Sequence, residues 1–162
     1  AGLLFGGCHR NRAEADAAPG SSSAADVDQP AVSLERTPCH GTCPVYTVSL
    51  YGDGRVAWHG ERFVPATGDS TARVSPAAVQ ALVARARGLG FFAADSAYDY
   101  QTPHCGAYAT DLPGTVIRVR ADGRVHQVRH DYGCRGAPAS LRQLAAAIDS
   151  VAGVARWRGA ER

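Results

Sequence analysis

Lysine is absent from this chain: all 17 of its basic residues are arginine. Alongside the abundant alanine, that absence reads as a GC-rich coding bias and not as nucleic-acid chemistry. Neither sign of charge is in excess. Seventeen basic residues stand against 15 acidic ones, a formal net charge of +2. That is too balanced for affinity resting on phosphate neutralisation, so no nucleic-acid partner is expected. No apolar run approaches the roughly 20 residues that a membrane-crossing helix requires. The Gly-x-Ser-x-Gly elbow, the His-Glu-x-x-His helix, the phosphate loop and the dinucleotide fingerprint are all missing. So is Cys-x-x-Cys-His, which excludes covalent haem attachment. These absences remove each reason to name a reaction, and no cofactor is implied.

What is present suits one domain with a tail, at 162 residues and 16.9 kDa. Apolar residues make up 45% and charged ones 20%, enough to build a core and too apolar for global disorder. The front end reads differently. Residues 1–7 resemble the remnant of a signal peptide, and Phe5-Gly6-Gly7-Cys8 resembles a bacterial lipobox, in which small residues precede a cysteine that receives diacylglycerol. Cys8 is the expected lipidation site, although phenylalanine stands where leucine is usual. An anchored chain hangs on a membrane without spanning it. His9, in place of a retention aspartate, favours the outer membrane of a Gram-negative cell. Residues 8–31 are rich in Ala, Ser, Gly and Pro without apolar periodicity, and are expected to form a flexible tether. The folded part is expected over 32–158, with 159–162 a short tail.

Setting Cys8 aside leaves Cys39, Cys43, Cys105 and Cys134, an even number with three possible pairings in an exported chain. The pairing favoured is Cys39 with Cys43 and Cys105 with Cys134. Loop-closure entropy gives about 2 kcal/mol for the five-residue loop and about 3.6 kcal/mol for the thirty-residue one. The alternative is chemistry. Cys39-His40-Gly41-Thr42-Cys43-Pro44 gathers two thiols and an imidazole suited to copper(I), zinc or thiol exchange, with Cys39, His40 and Cys43 as ligands. Copper chaperones of thioredoxin-like fold carry a similar motif, but there it sits among βαβ units, whereas here it runs into a strand and a hairpin.

Alternation predicts strands at Val32–Arg36 and over 45–51, where Tyr46, Val48 and Leu50 share a face. Gly52-Asp53-Gly54 turns the chain into a strand over 55–60 carrying Val56 and Trp58; residues 62–65 and 71–74 extend the sheet. Ser75-Pro76 opens a helix with a stripe of Ala78, Val79, Leu82, Val83, Ala86 and Leu89, ended by Gly88 and Gly90. Phe91 and Phe92 should enter the core. Residues 93–114 are irregular and polar, the best place for a binding loop, with Tyr98, Tyr100, Tyr108 and Asp111 as candidates. Strands over 115–121 and Arg124–Asp131 flank the turn Asp122-Gly123. Pro138 opens a second helix, whose buried stripe is Leu141, Leu144, Ala145, Ile148 and Val151, and Trp157 closes over the core edge. Asp53-Gly54-Arg55-Val56 recurs as Asp122-Gly123-Arg124-Val125. The expected fold is α+β, an antiparallel sheet built from two β-β-α units with two helices packed on one face.

These residues resemble a bacterial family known only as domain of unknown function 6438, whose members are often predicted lipoproteins. The resemblance is carried by the block from Leu34 to Tyr46, then by 51–56, Gly60, Gly68, Tyr98, residues 110–113, Asp131-Tyr132, Pro138, Leu141, Leu144, Ile148-Asp149 and Trp157. It implies a shared α+β fold and an extracytoplasmic address, and no activity. Cys105 and Cys134 stand outside the shared pattern, a further reason to pair them with each other.

Candidate chemistry is sparse. Asp111 could act as an acid or base, though a turn-forming aspartate is the simpler reading. His104 beside Cys105, and His126 with His130 on one strand face, could hold a metal. Arg118, Arg120, Arg124 and Arg129 suggest a basic sheet face. The expected function is non-enzymatic: a lipid-anchored envelope domain that binds a protein, lipid or cell-wall component through the sheet face or the 93–114 loop. The alternatives are a thiol or copper protein, and a hydrolase using Asp111 or a histidine.

Overall fold

The computed structural model describes Gly2 and residues 28–159. Cys8, the rest of the signal remnant, nearly all of the tether and the last three residues lie outside the described residues. Seven strands form one sheet: β1 (Val32–Arg36), β2 (Val45–Leu50), β3 (Arg55–Arg62), β4 (Gly68–Arg73), β5 (Ala97–Tyr98), β6 (Gly114–Ala121) and β7 (Arg124–Asp131). Their spatial order is β4-β3-β2-β1-β6-β7-β5. Every pairing is antiparallel except β5 with β7. The helices are α1 (Pro76–Gly88), α2 (Ala139–Ala152) and the short α3 (Ala155–Arg158), with 3-10 turns at Phe91–Ala93 and Pro103–Cys105.

Local chemistry accounts for most of this. The Ser75 hydroxyl accepts from the Ala78 amide and Pro76 supplies the first helical φ, so α1 starts where the capping residues stand. Gly153 takes the left-handed conformation that ends α2. Alternation sends Val32, Leu34, Tyr46, Val48, Leu50, Val56, Trp58, Ile117, Val119 and Val128 inward beneath the helices, which contribute Val79, Leu82, Leu141, Leu144 and Ile148. Trp157 stacks on Trp58 at 5.3 Å and Trp58 on Tyr46 at 4.5 Å, closing one end of the core. Ala152, not Val151, completes the buried stripe of α2.

The two halves are less alike than their shared tetrapeptide suggests. A third strand, β4, separates the first hairpin from its helix, and β1 sits between the hairpins. The turns also differ. Asp122 and Gly123 both take positive φ, 53° and 69°, as a two-residue primed turn requires, whereas only Gly54 does so in the first hairpin. There Asp53 instead accepts from the Arg55 amide at 3.0 Å. Of residues 62–65, expected to be extended, Arg62 ends β3 and residues 63–65 lie in a bend that runs to residue 66.

Of the two expected disulfides one is formed. Cys39 and Cys43 are bonded with their Cα atoms 5.7 Å apart. Cys105 and Cys134 are buried free thiols, which corrects the second pairing. The two segments are held without it: Ala109 N–H donates to Gly133, Arg135 to Ala107 and Gly136 to Cys105, at 3.0, 3.1 and 2.7 Å. Main-chain bonds thus do the stapling assigned to sulfur. Alkylation of the native protein is expected to label neither of these thiols, and alkylation after denaturation to label both. Cys39→Ser should cost about 2 kcal/mol in a urea melt by loop entropy. Wild-type stability in that variant would mean that the loop is ordered by other contacts.

Candidate functional site

The strand registers set one polar row across the sheet, on the face that carries the helices. Tyr46 on β2 pairs with Arg36 on β1, Arg36 with Thr115 on β6, Thr115 with His130 on β7, and His130 with Tyr98 on β5. Asp149 reaches this row from α2. Its carboxylate accepts from Arg36 Nη2 at 2.5 Å and from the Tyr46 hydroxyl at 2.7 Å, while Arg36 Nη1 donates to the Tyr132 hydroxyl at 2.8 Å. Burial alone would pull the Arg36 guanidinium down, but the Asp149 carboxylate and the neighbouring tyrosine oxygens outweigh it, and the group is held protonated more firmly than usual. Burial, reinforced by Asp149, likewise raises the Tyr46 hydroxyl. Asp149 therefore closes a hydrogen-bonded ion pair between sheet and helix.

Further along the row the bonding fails. Thr115 Oγ1 and both ring nitrogens of His130 are buried and have no hydrogen-bond partner among the described residues. Thr115 is 0% and His130 2% exposed. Both positions border a cavity of about 340 Å³ at the end of the sheet, but it is Gly114, Arg129 and Asp131, of the opposite parity, that face it, while the Thr115 and His130 side chains turn to the helix face. Tyr100 and Tyr108 form its aromatic wall, with ring centroids 5.9 Å apart. Asp99 and Arg129 sit at its edge as an ion pair at 2.5 Å. That bond to Arg129 is the main reason the Asp99 carboxyl lies below its ordinary range. Tyr108 donates to Asp131 at 2.7 Å, and this bond, with some burial, pushes the Tyr108 hydroxyl up to about 12. His130 moves the other way. Burial, then the nearby Arg142, pulls it down to about 4 against the opposing Asp131, so the ring is neutral near pH 7.

Two glycines let the loop lie against β7's exit. A Cβ on Gly133 would strike the Ala109 carbonyl, and one on Gly136 the His104 carbonyl. Behind the wall, Cys105 is held as a thiol: burial, then its hydrogen bond with Cys134, pushes it up to about 11, away from nucleophilic chemistry.

The model of the family described as Domain of unknown function (DUF6438) matches residues 30–152, which spans β1 through α2 and every wall of this cavity. The chain belongs to that family. Among curated proteins, none matches it.

In this DUF6438 domain the loop residues singled out from sequence divide. Tyr100 and Tyr108 line the cavity. Tyr98 is buried behind it, its ring 6.4 Å from His130 and its hydroxyl accepting from the Asp95 amide. Asp111 does turn duty: its φ is 70°, its carbonyl accepts from the His40 amide at 3.2 Å and its carboxylate from the Thr110 hydroxyl at 2.8 Å. Cys39 and Cys43 are spent on each other, so no free thiol stands beside His40 for copper. Among the described residues no group of three His, Cys, Asp or Glu could hold a metal ion. His104 faces Asp95 at 3.3 Å, and His126 contacts the Ala94 carbonyl at 2.9 Å. Arg124 shares the parity of His126 and Val128 and lies 5.8 Å from the Phe92 ring centroid, so it leaves the basic face to Arg118, Arg120 and Arg129.

Asp99 and Arg129 were not predicted as one site with Tyr100 and Tyr108. Their meeting is set by register and the course of the loop and not by spacing.

Proposed function

We propose that this DUF6438 domain is a non-enzymatic binding domain of the bacterial cell envelope, tethered through a lipid on Cys8, that takes its ligand into the cavity walled by Tyr100 and Tyr108. The envelope address is supported by the lipobox-like Phe5-Gly6-Gly7-Cys8 and by a disulfide of the kind oxidising compartments sustain. The binding reading is carried by one observation: a cavity of about 340 Å³ at the end of the sheet is walled by Tyr100 and Tyr108, which are 67% and 39% exposed, and edged by Asp99, Arg129 and Asp131. Open aromatic rings beside a few polar groups in a concave site are a surface that a ligand packs against. Turnover has less support, because the ionisable groups at the edge are already engaged, Asp99 with Arg129 and Asp131 with Tyr108.

Tyr108→Ala tests the reading. It removes part of the aromatic wall at an exposed position, so a urea melt should show a loss of no more than about 1 kcal/mol. A loss of several kcal/mol would show that the ring serves the fold, and the reading would be lost. The anchor has its own check. Radioactive palmitate fed to expressing cells should label the full-length precursor product and leave Cys8→Ser unlabelled.

A further inference from the structure

We infer that the domain rests on an anionic lipid surface through arginines at the end of the sheet where the tether enters; the inference rests on the Cys8 anchor proposed above. The strand registers gather these arginines. The chain joins the sheet between β2 and β6, where the Ala31 amide donates to Leu50 at 2.9 Å and the Arg120 amide to Ala31 at 2.8 Å. Beside that entry the Tyr51 amide donates to Arg55, and Arg55 pairs with Arg73 at the end of β4. Arg73, Arg55 and Arg120 therefore form one row on the face opposite the helices, with Arg118 one pair further in. Arg73 and Arg118 are exposed, as is Arg124 at the adjoining turn. The nearby acids do not cancel them. Asp53 is paired with Arg55 at 2.8 Å and Asp122 with Arg87 at 2.7 Å, and Asp26 and Asp28 on the tether offset only part of what remains.

The shape suits a lipid phosphodiester. Arg55, Arg73 and Tyr51 line a concavity of about 420 Å³ beside the short side chains of Ala57 and Thr71. Guanidinium forks at an open recess match phosphate oxygens in pairs. The Arg55 guanidinium lies 4.3 Å from the centroid of the Tyr51 ring, and Val125, cross-strand from Arg120, is 39% exposed. A tyrosine and an apolar side chain among cations fit the headgroup boundary of a bilayer.

Polarity along the strands fixes the orientation. β6 runs eight residues from this end to the Tyr100–Tyr108 cavity, roughly 27 Å at about 3.4 Å per residue. The cavity end of the same face carries Glu35, Asp69 and Asp131, which an anionic surface repels. A lipid on Cys8 holds the chain near the bilayer, and the arginines then set which end is down. The cavity is left facing away from the membrane.

The test is cosedimentation of the full chain carrying Cys8→Ser, in which no acyl group drives partitioning. The vesicles are phosphatidylcholine alone, or phosphatidylcholine with about a third phosphatidylglycerol. Binding to the anionic vesicles is expected to be at least about tenfold stronger, since each basic residue at such a surface contributes about fivefold. It should fall away between about 0.1 M and about 1 M sodium chloride, as the Debye length shrinks from about 10 Å to about 3 Å. Arg73→Gln with Arg118→Gln should weaken it at least about tenfold at an unchanged melting temperature. The charge-matched pair Arg62→Gln with Arg135→Gln, at the cavity end, should weaken it less than about threefold. Equal weakening by the two pairs would reduce the effect to net charge and overturn the surface, as would equal binding to both kinds of vesicle. Either failure leaves the anchor and the cavity standing, because palmitate labelling tests the one and Tyr108→Ala the other.

Discussion

Asp149→Ala is expected to destabilise the domain by about 3–5 kcal/mol, the cost of stranding one member of a buried ion pair. The Asp149 carboxylate is 11% and the Arg36 side chain 20% exposed, and the same carboxylate is the acceptor for Tyr46. Removing it leaves a buried guanidinium and a buried phenol without their acceptor, and unties α2 from β1 and β2. The double variant Arg36→Met, Asp149→Leu should recover much of the loss, because it removes the stranded charge along with its partner. Urea melts of the three proteins decide the matter. A double variant no more stable than Asp149→Ala would mean that Arg36 is not what suffers, and that the network's worth lies elsewhere.

Acid should weaken the fold through His130. Its folded pKa lies near 4, while an unfolded histidine titrates near 6.5. Between those values the unfolded chain binds more protons, so stability is complete above about pH 6.5 and is lost as pH falls toward 4. The difference of about 2.5 units corresponds to about 3 kcal/mol across that window. The groups around the ring support the direction. Arg142, whose guanidinium lies 3.9 Å from the centroid of the Tyr132 ring, opposes a second positive charge, and Asp131 offsets it only in part. His130→Leu should remove this window, leaving stability flatter between pH 4 and 6.5 than in the wild type. Parallel curves for the two proteins would show that the ring protonates freely in the folded state, which is incompatible with its burial.

The two effects explain why the polar row is divided. At the Arg36 end every main partner comes from within the chain, and the row behaves as a clasp. At the His130 end the partners are missing, and the row ends in the core with a hydroxyl and an imidazole unpaired among the described residues.

What could be read directly from the residues was local. Capping at Ser75-Pro76, the Asp122-Gly123 turn, the alternation of Tyr46, Val48 and Leu50 in β2 and the α2 stripe through Ile148 depend on neighbours within a few positions, and each appears where the pattern placed it. The Cys39–Cys43 link belongs to the same class, because a five-residue loop brings its own ends together. The cavity does not. Thr37, Tyr100, Gly114 and Arg129 come from four separate stretches, and a shift of one residue in the β6–β7 pairing would move Arg129 and Asp131 off the face that Gly114 presents. The fate of Cys105 and Cys134 was also tertiary, since the hydrogen bonds that dock their segments arise only once the sheet has formed. Periodicity and turn chemistry therefore determined the elements and their inward faces. Which polar residues met a partner, and which were left unpaired in the core, was decided by long-range register, where no spacing rule applies.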